Sequence, residues 1–177
     1  MLKRLLLALV GLTLSLNVVQ ADEKPSDQVA LLETVSTFKS AMGRGDFDQV
    51  MSFVPEKVFG QMAKEMDISP EYLNSLVVAQ MEDVLEEVKI LEFDMETSNF
   101  DFEKTEAGIV YAFLPTRTVI DVQGAKVESR SHTLALRDGR DWRLVRIDDT
   151  VQLKVLRKVY PGFAEIEFPR DTLKLLN

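Results

Sequence analysis

The chain contains no cysteine, and His132 is its only histidine. Without a thiolate there is no cysteine nucleophile and no redox pair, and a lone imidazole cannot build a histidine-rich zinc site. No disulfide is available to staple the fold, so a packed core must hold it. Basic clusters are missing as well. Nucleic-acid binders present Lys/Arg surfaces that release counterions from phosphates. Here 21 Lys and Arg face 29 Asp and Glu, for a formal net charge of −8. That balance argues against nucleic acid as a partner and against a role on anionic lipid; its plain physical meaning is solubility. Cofactor motifs are equally scarce. Gly43-Arg44-Gly45 has the look of a phosphate loop. A dinucleotide fingerprint, however, needs a strand before its glycines, and a Walker loop needs Gly-Lys-Ser/Thr. A helical pattern precedes these glycines and no Lys-Ser/Thr follows, so the stretch reads as a corner. The acidic run Glu82, Asp83, Glu86 and Glu87 lacks the alternating oxygen ligands and glycine of a calcium loop and reads as a solvated helix face. No nucleophile elbow is present. No cofactor or metal is expected.

Long apolar runs are absent too. The most apolar stretch, Leu5 to Leu16, spans 12 residues, against the roughly 20 that a membrane-spanning helix needs. Lys3 and Arg4 precede it, and Val19-Gln20-Ala21 puts small residues at the −3 and −1 positions of a cleavage site. This is the pattern of a secretory signal peptide cut after Ala21. With no cysteine behind the apolar run, a lipid-modified N-terminus is excluded. The expectation is an exported protein, periplasmic or secreted, with a signal peptide over 1–21, no stable membrane anchor after cleavage, and one domain over 22–177. Losing Lys3 and Arg4 with that segment takes the formal net charge from −8 to −10 and leaves 156 of the 177 residues. A chain of that size buries about 70% of its unfolded surface.

What remains divides into two textures. In the first half, Val29, Leu32, Val35, Phe38 and Met42 recur at helical spacing, with Leu31 beside them. Two glycines then favour a break, each costing about 1 kcal/mol inside a helix. Asp46 caps a second helix carrying Phe47, Val50, Met51 and Val54. Pro55 opens a third at its first helical position, with Val58, Phe59, Met62 and Met66 at helical spacing; Met51, Met62 and Met66 are expected in the core, where methionine fills gaps. Ser69-Pro70-Glu71 starts the next helix, with Leu73, Leu76, Val77, Val84 and Val88 on one stripe. After about residue 89 strands are expected: Ile90–Phe102 broken near Thr97–Asn99, Ile109–Leu114, Thr116–Val122, Lys126–Leu136 and Arg140–Asp148, turning at Ala107-Gly108, Gln123-Gly124 and Asp138-Gly139. Pro115 suits a kink or an edge. From about residue 150 an extension begins. Asp149 is placed to cap a helix over Thr150–Val159, although Val151, Leu153 and Val155 also alternate as a strand would. Phe163 to Phe168 reads as a strand or a strap.

The apolar pattern also selects a register for the last hairpin. A three-residue loop, Arg137-Asp138-Gly139, pairs Leu134 with Trp142 and His132 with Leu144. Leu134, Leu136, Trp142 and Leu144 then share one face toward the helices, with Arg130, His132 and Arg146 further along it.

Two stretches carry a family resemblance. FKSAMGRGDFDQVMSFV resembles the helix, Gly-Asp corner and second helix that open domains of the NTF2-like (cystatin-like α+β cone) superfamily, and LALRDGRDWRLVRID resembles their closing hairpin. The resemblance covers roughly residues 27 to 149. It implies an α+β fold in which N-terminal helices pack on a curved antiparallel sheet, a cavity at the wide end of the cone, and a homodimer through the sheet. Members include enzymes, transport factors and proteins without known activity, so the fold does not give the function, and no catalytic residue carries over.

The candidate ligand-binding residues are His132, Arg130, Arg146 and Trp142, with Asp121 and Tyr111 behind them. Arginines at a cavity mouth would hold a carboxylate bidentately; the competing reading is charge pairing with Glu128 or Asp148. The functional expectation is an exported, non-catalytic protein that binds a small molecule or a protein partner. The alternative is a cofactor-free acid–base enzyme, of isomerase or dehydratase type, with His132 as base.

Overall fold

The computed structural model describes residues 26–147 and 150–176. The expected signal peptide and its cleavage at Ala21 lie outside the described residues, as do Asp148 and the expected cap Asp149. Among the described residues, no helix is long and apolar enough to cross a membrane.

Local chemistry sets the helices. Ser26 accepts a hydrogen bond from the Val29 N–H and opens α1, Asp27–Arg44. The helix ends at Gly45, whose φ of 69° is the left-handed cap that glycine supplies at no steric cost. Asp46 then accepts from the Gln49 N–H at 3.2 Å and starts α2, Phe47–Met51. The Gly-Arg-Gly stretch does turn a corner. Pro55 is the residue before α3, Glu56–Glu65, rather than its first helical residue. Ser69 caps α4, Pro70–Glu87, with Pro70 at the first turn. At Val88 the backbone becomes extended without an intervening loop, so α4 runs straight into β1, Val88–Met95.

The remaining elements are β2 (Glu103–Lys104), β3 (Val110–Val122), β4 (Ala125–Asp138), β5 (Asp141–Arg146), α5 (Thr150–Val159), a 3-10 turn at Pro161–Phe163 and β6 (Thr172–Leu176). The fold is α+β, with N-terminal helices followed by a strongly curled antiparallel half-barrel. The sheet order is β1-β3-β4-β5. β2 continues the β1 side along β3, and β6 pairs with β4. β3 passes through Pro115 unbroken, unlike the two strands expected there. The Pro115 carbonyl accepts from the Glu96 N–H at 2.8 Å, just beyond the end of β1, so the missing proline N–H falls where the ladder is already ending. The segment 164–171 forms no strand; it is a strap, and the strand comes later, at Thr172–Leu176.

The register of the β4–β5 hairpin overturns the sequence expectation. Asp138 pairs with Asp141 and Leu134 with Val145, so the loop is the two residues Gly139-Arg140, with Gly139 at φ 67°. That is the position a type II′ turn reserves for glycine. Compared with the expected pairing of Leu134 with Trp142, β5 slides by three residues, and an odd slide inverts its faces. Leu134 and Leu136 point to one side of the sheet, Trp142 and Leu144 to the other. The apolar pattern misled because both faces are covered. An alternation rule picks a register only when one face is wet.

On one face, Tyr111, Leu134, Leu136 and Val145 pack under Val155 and Leu156 of α5, Val58 of α3, and Tyr160 and Phe163. Tyr160 Oη donates to Asp138 Oδ2 at 2.8 Å and Lys57 Nζ to Asp138 Oδ1 at 2.9 Å, which ties the end of α5 and the start of α3 to the hairpin. Burial works to raise the Asp138 pKa, but these two donors hold it below its ordinary value. On the opposite face, Ala112, Leu114, Ala135, Trp142 and Leu144 receive Leu31 and Val35 of α1. Val29 and Leu32, expected on the inner stripe of α1, are exposed. A third cluster, Ala41, Phe47 and Val50, gathers Val78, Met81 and Leu85 of α4. The inner stripe of α4 is therefore set by those residues, and Leu76 and Val84, expected on it, face outward. Met62 packs against the core, Met51 is partly buried, and Met66 is exposed rather than buried.

Candidate functional site

The four nominated residues do not come together. Opposite residues on paired strands share a face, which puts Arg130 and His132 on the α5 face, and Trp142 and Arg146 on the α1 face. Arg130 Nε donates to Glu128 Oε1 at 2.8 Å, and Arg117 Nε to Glu128 Oε2 at 2.6 Å, while Arg117 also pairs with Glu92. Hydrogen bonds from Arg130 and then Arg117 bring the Glu128 carboxyl down to about 2. Arg130 is thus part of a charge ladder across β1, β3 and β4. His132 stands opposite Pro115, and its Nδ1 is buried with no hydrogen-bond partner. On the far face, Arg146 Nη2 lies 3.5 Å from Ser129 Oγ. Tyr111 and Asp121 serve local structure. Tyr111 Oη donates to Glu103 at 2.7 Å, and burial, with that bond, pushes its hydroxyl up to about 12. Asp121 Oδ1 accepts from the Gly124 N–H at 2.7 Å and closes the Gln123-Gly124 hairpin. Trp142 is buried, its ring 5.5 Å from Phe102, and borders a cleft of about 390 Å³ with Glu33, Arg140 and Arg143.

A larger opening lies elsewhere, where the helical and sheet layers meet. α1 stops at Gly45, α4 ends, and β1 begins, all at one corner. Between them is an open cleft of about 790 Å³ with Met42, Leu85, Val88, Ile90 and Phe93 along it. Gly43 contributes no side chain, and the space its Cβ would occupy is empty to 4 Å. Three cations line the cleft. Lys39 Nζ is 2.5 Å from Asp94 Oδ1. Arg44 is held by Ser40 Oγ at 2.5 Å and Gln49 Oε1 at 2.8 Å, with Asp46 at 3.7 Å. Lys89 has no ion pair among the described residues. Glu92, also on the lining, is engaged by Arg117. A second cleft of about 350 Å³ shares Met42, Leu85 and Ile90 with the first and continues over Val77, Met81 and Val84 of α4.

None of these lining residues was nominated from sequence. The signal was present in excess: Leu73, Leu76, Val77, Val78, Met81, Val84 and Leu85 give α4 more apolar surface than one packing seam can use. With the tertiary arrangement in hand, that surplus falls on the cleft and the solvent. Among the described residues, no group of three or more His, Asp or Glu is placed to hold a metal ion.

No protein-family model, curated protein or solved structure matches the chain. The fold class therefore stands on the α+β order and the curled sheet alone.

Proposed function

We propose that the protein is an exported binding module, built as an NTF2-like cone, that takes its ligand or partner in the corner between α1, α4 and β1 and does no chemistry on it. One observation carries this reading: the 790 Å³ cleft, lined by apolar side chains together with Lys39, Arg44 and Lys89, has the form of a recognition site. The acid–base alternative needed His132 beside two arginines on one face. Arg146 is on the other side of the sheet, and Arg130 is held by Glu128. Export is supported by the charged start, short apolar run and Val19-Gln20-Ala21 site of the sequence. A homodimer would use the β6 edge, where Leu173 and Leu175 are exposed.

Native mass spectrometry of protein purified from its own envelope or medium tests the reading. The expected result is a carried small molecule or a second chain that Val84→Asp reduces. Reproducible turnover in a broad substrate screen, lost on His132→Ala, would overturn it in favour of the enzyme.

A further inference from the structure

We infer that the strap and β6 form a proton-sensitive latch, in which protonation of His132 releases residues 169–176 from the edge of β4. The latch is independent of binding at the corner between α1, α4 and β1. Three observations carry it.

The first is the place of His132. β5 pairs with Thr133–Asp138 of β4, and β6 with Lys126–Arg130. Ser131 and His132 fall in the interval, which neither ladder reaches. Both carry a buried polar atom, Ser131 Oγ and His132 Nδ1, that finds no hydrogen-bond partner among the described residues. An imidazolium carries a proton on both ring nitrogens. The one on Nδ1 would be a charged donor buried without an acceptor, which costs far more than a neutral nitrogen left unanswered.

The second is what passes His132. The Phe168 ring of the strap lies 5.2 Å from that of Phe113, whose partner on β4 is Leu134. Four residues later, Thr172 pairs with Arg130. From Leu134 to Arg130 is about 13 Å of strand, and four extended residues of strap span the same length. Pro169, Arg170 and Asp171 therefore run alongside His132 with no slack. Carried two residues back, the β6 register sets Asp171 level with Ser131 and Arg170 level with His132. Since successive residues alternate in direction, Arg170 belongs to the His132 face and Asp171 to the other.

The third is charge, set against a weakly held strand. Along the His132 face the register brings Arg130 of β4, Arg117 of β3 opposite it, Arg170 of the strap, and Glu128. Glu128 is taken up by Arg130 and Arg117, while Arg170 has no ion pair among the described residues. From α5, Arg157 is tied to the Phe163 and Ile166 carbonyls. Past the end of β5, Ile147 packs on the α5 face; Asp148 and Asp149, which follow it, lie outside the described residues. A proton on His132 thus adds a like charge beside Arg170 and drives the strap outward. β6 has little to resist this. Residues 172–175 are all exposed, Leu173 by 76% and Leu175 by 63%. The strand is fastened by backbone pairing with hardly any buried apolar surface, and segments of that kind open first.

The test follows backbone amide exchange in the full chain from about pH 7.5 to about pH 5.5, the span over which histidine ordinarily titrates. Rates are corrected for intrinsic exchange, and the ring signals of His132, the only histidine, are followed in the same samples. An opening that takes up one proton grows by up to about tenfold per pH unit. Protection of the amides that join β6 to Lys126–Arg130 should fall toward that slope as His132 gains its proton, while the amides that pair β3 with Leu134–Leu136 keep theirs. His132→Phe, an apolar ring in the same space, should hold β6 protection constant over this range. His132→Gln repeats the test should the first variant melt early. Arg170→Glu should flatten the response by giving the imidazolium a partner. Unchanged β6 protection while His132 titrates would overturn the inference, and so would an equal loss in His132→Phe. Protection that rises as the pH falls would put a carboxylate on the imidazole and overturn it too.

Discussion

α4 and α5 are helices of one chain with opposite fates. α5 has ten residues, and Val155 and Leu156 are sealed against the sheet. Tyr160, just past its end, is fastened to Asp138. α4 has eighteen residues and buries only Leu73 fully, while Tyr72, Leu76 and Val84 stand 56%, 41% and 50% exposed. Apolar content and length therefore do not decide burial. Position relative to the sheet does. α5 lies across a covered face, where Val155 and Leu156 find partners, and only Val151 in its first turn is left outside, 62% exposed. α4 is carried to the rim by its direct run into β1, and part of its apolar surface has nothing to pack on. The first arrangement stabilises; the second leaves apolar surface open.

Substitutions test that contrast. The largest loss should come on the α5 side. Phe163 is fully buried among Tyr111, Tyr160 and Phe168, and Phe163→Ala should cost about 3–5 kcal/mol of stability. Chemical unfolding followed through the single, buried Trp142 will measure it. A loss below about 1 kcal/mol would mean that this cluster is not the core it is taken to be. A smaller loss is expected at the hairpin that fixes the two faces: Gly139→Ala places a Cβ at φ 67° and should cost about 1–2 kcal/mol.

The charge ladder sets an acid limit. The Glu128 carboxyl lies at about 2 in the fold, below its ordinary 4.5. Its contribution to stability is complete above about pH 4.5 and is lost as pH falls toward about 2. Glu128→Gln should therefore lower stability at neutral pH and flatten the acid limb of a pH series of thermal melts; an unchanged acid slope would remove Glu128 from the account. The smallest effect belongs to α4. Val84→Ala should change stability by no more than about 0.5 kcal/mol while reducing the retained ligand in native mass spectra. If instead it destabilises as a core residue does, the groove is part of the core.

Much of the fold was legible. The helix starts at Asp46 and Ser69 follow from cap chemistry, and the Gly45 corner, the Gln123-Gly124 turn and the α5 helix sit where spacing put them. These features depend on a few neighbouring residues. The hairpin register did not yield, because Leu134, Ala135 and Leu136 with Trp142, Leu144 and Val145 put apolar side chains on both faces, and only the location of α1 and α5 says which side meets which helix. The shared face of the candidate residues fell with that register. His132, Arg130, Arg146 and Trp142 were grouped by a register that the chain does not adopt. The groove joins residues near 40, 85 and 90, and local periodicity cannot report their meeting.

One feature of β4 bears on how the molecule is assembled. A single edge of this strand serves two partners in succession: β5 takes Thr133–Asp138, and β6 takes Lys126–Arg130. β5 follows at once through a tight turn, but β6 arrives only after α5 and the strap have crossed the sheet. Until then, the lower part of β4 offers an unsatisfied row of backbone donors and acceptors to any passing strand. A nascent or refolding chain is thus most prone to aggregate in the interval before its last strand docks.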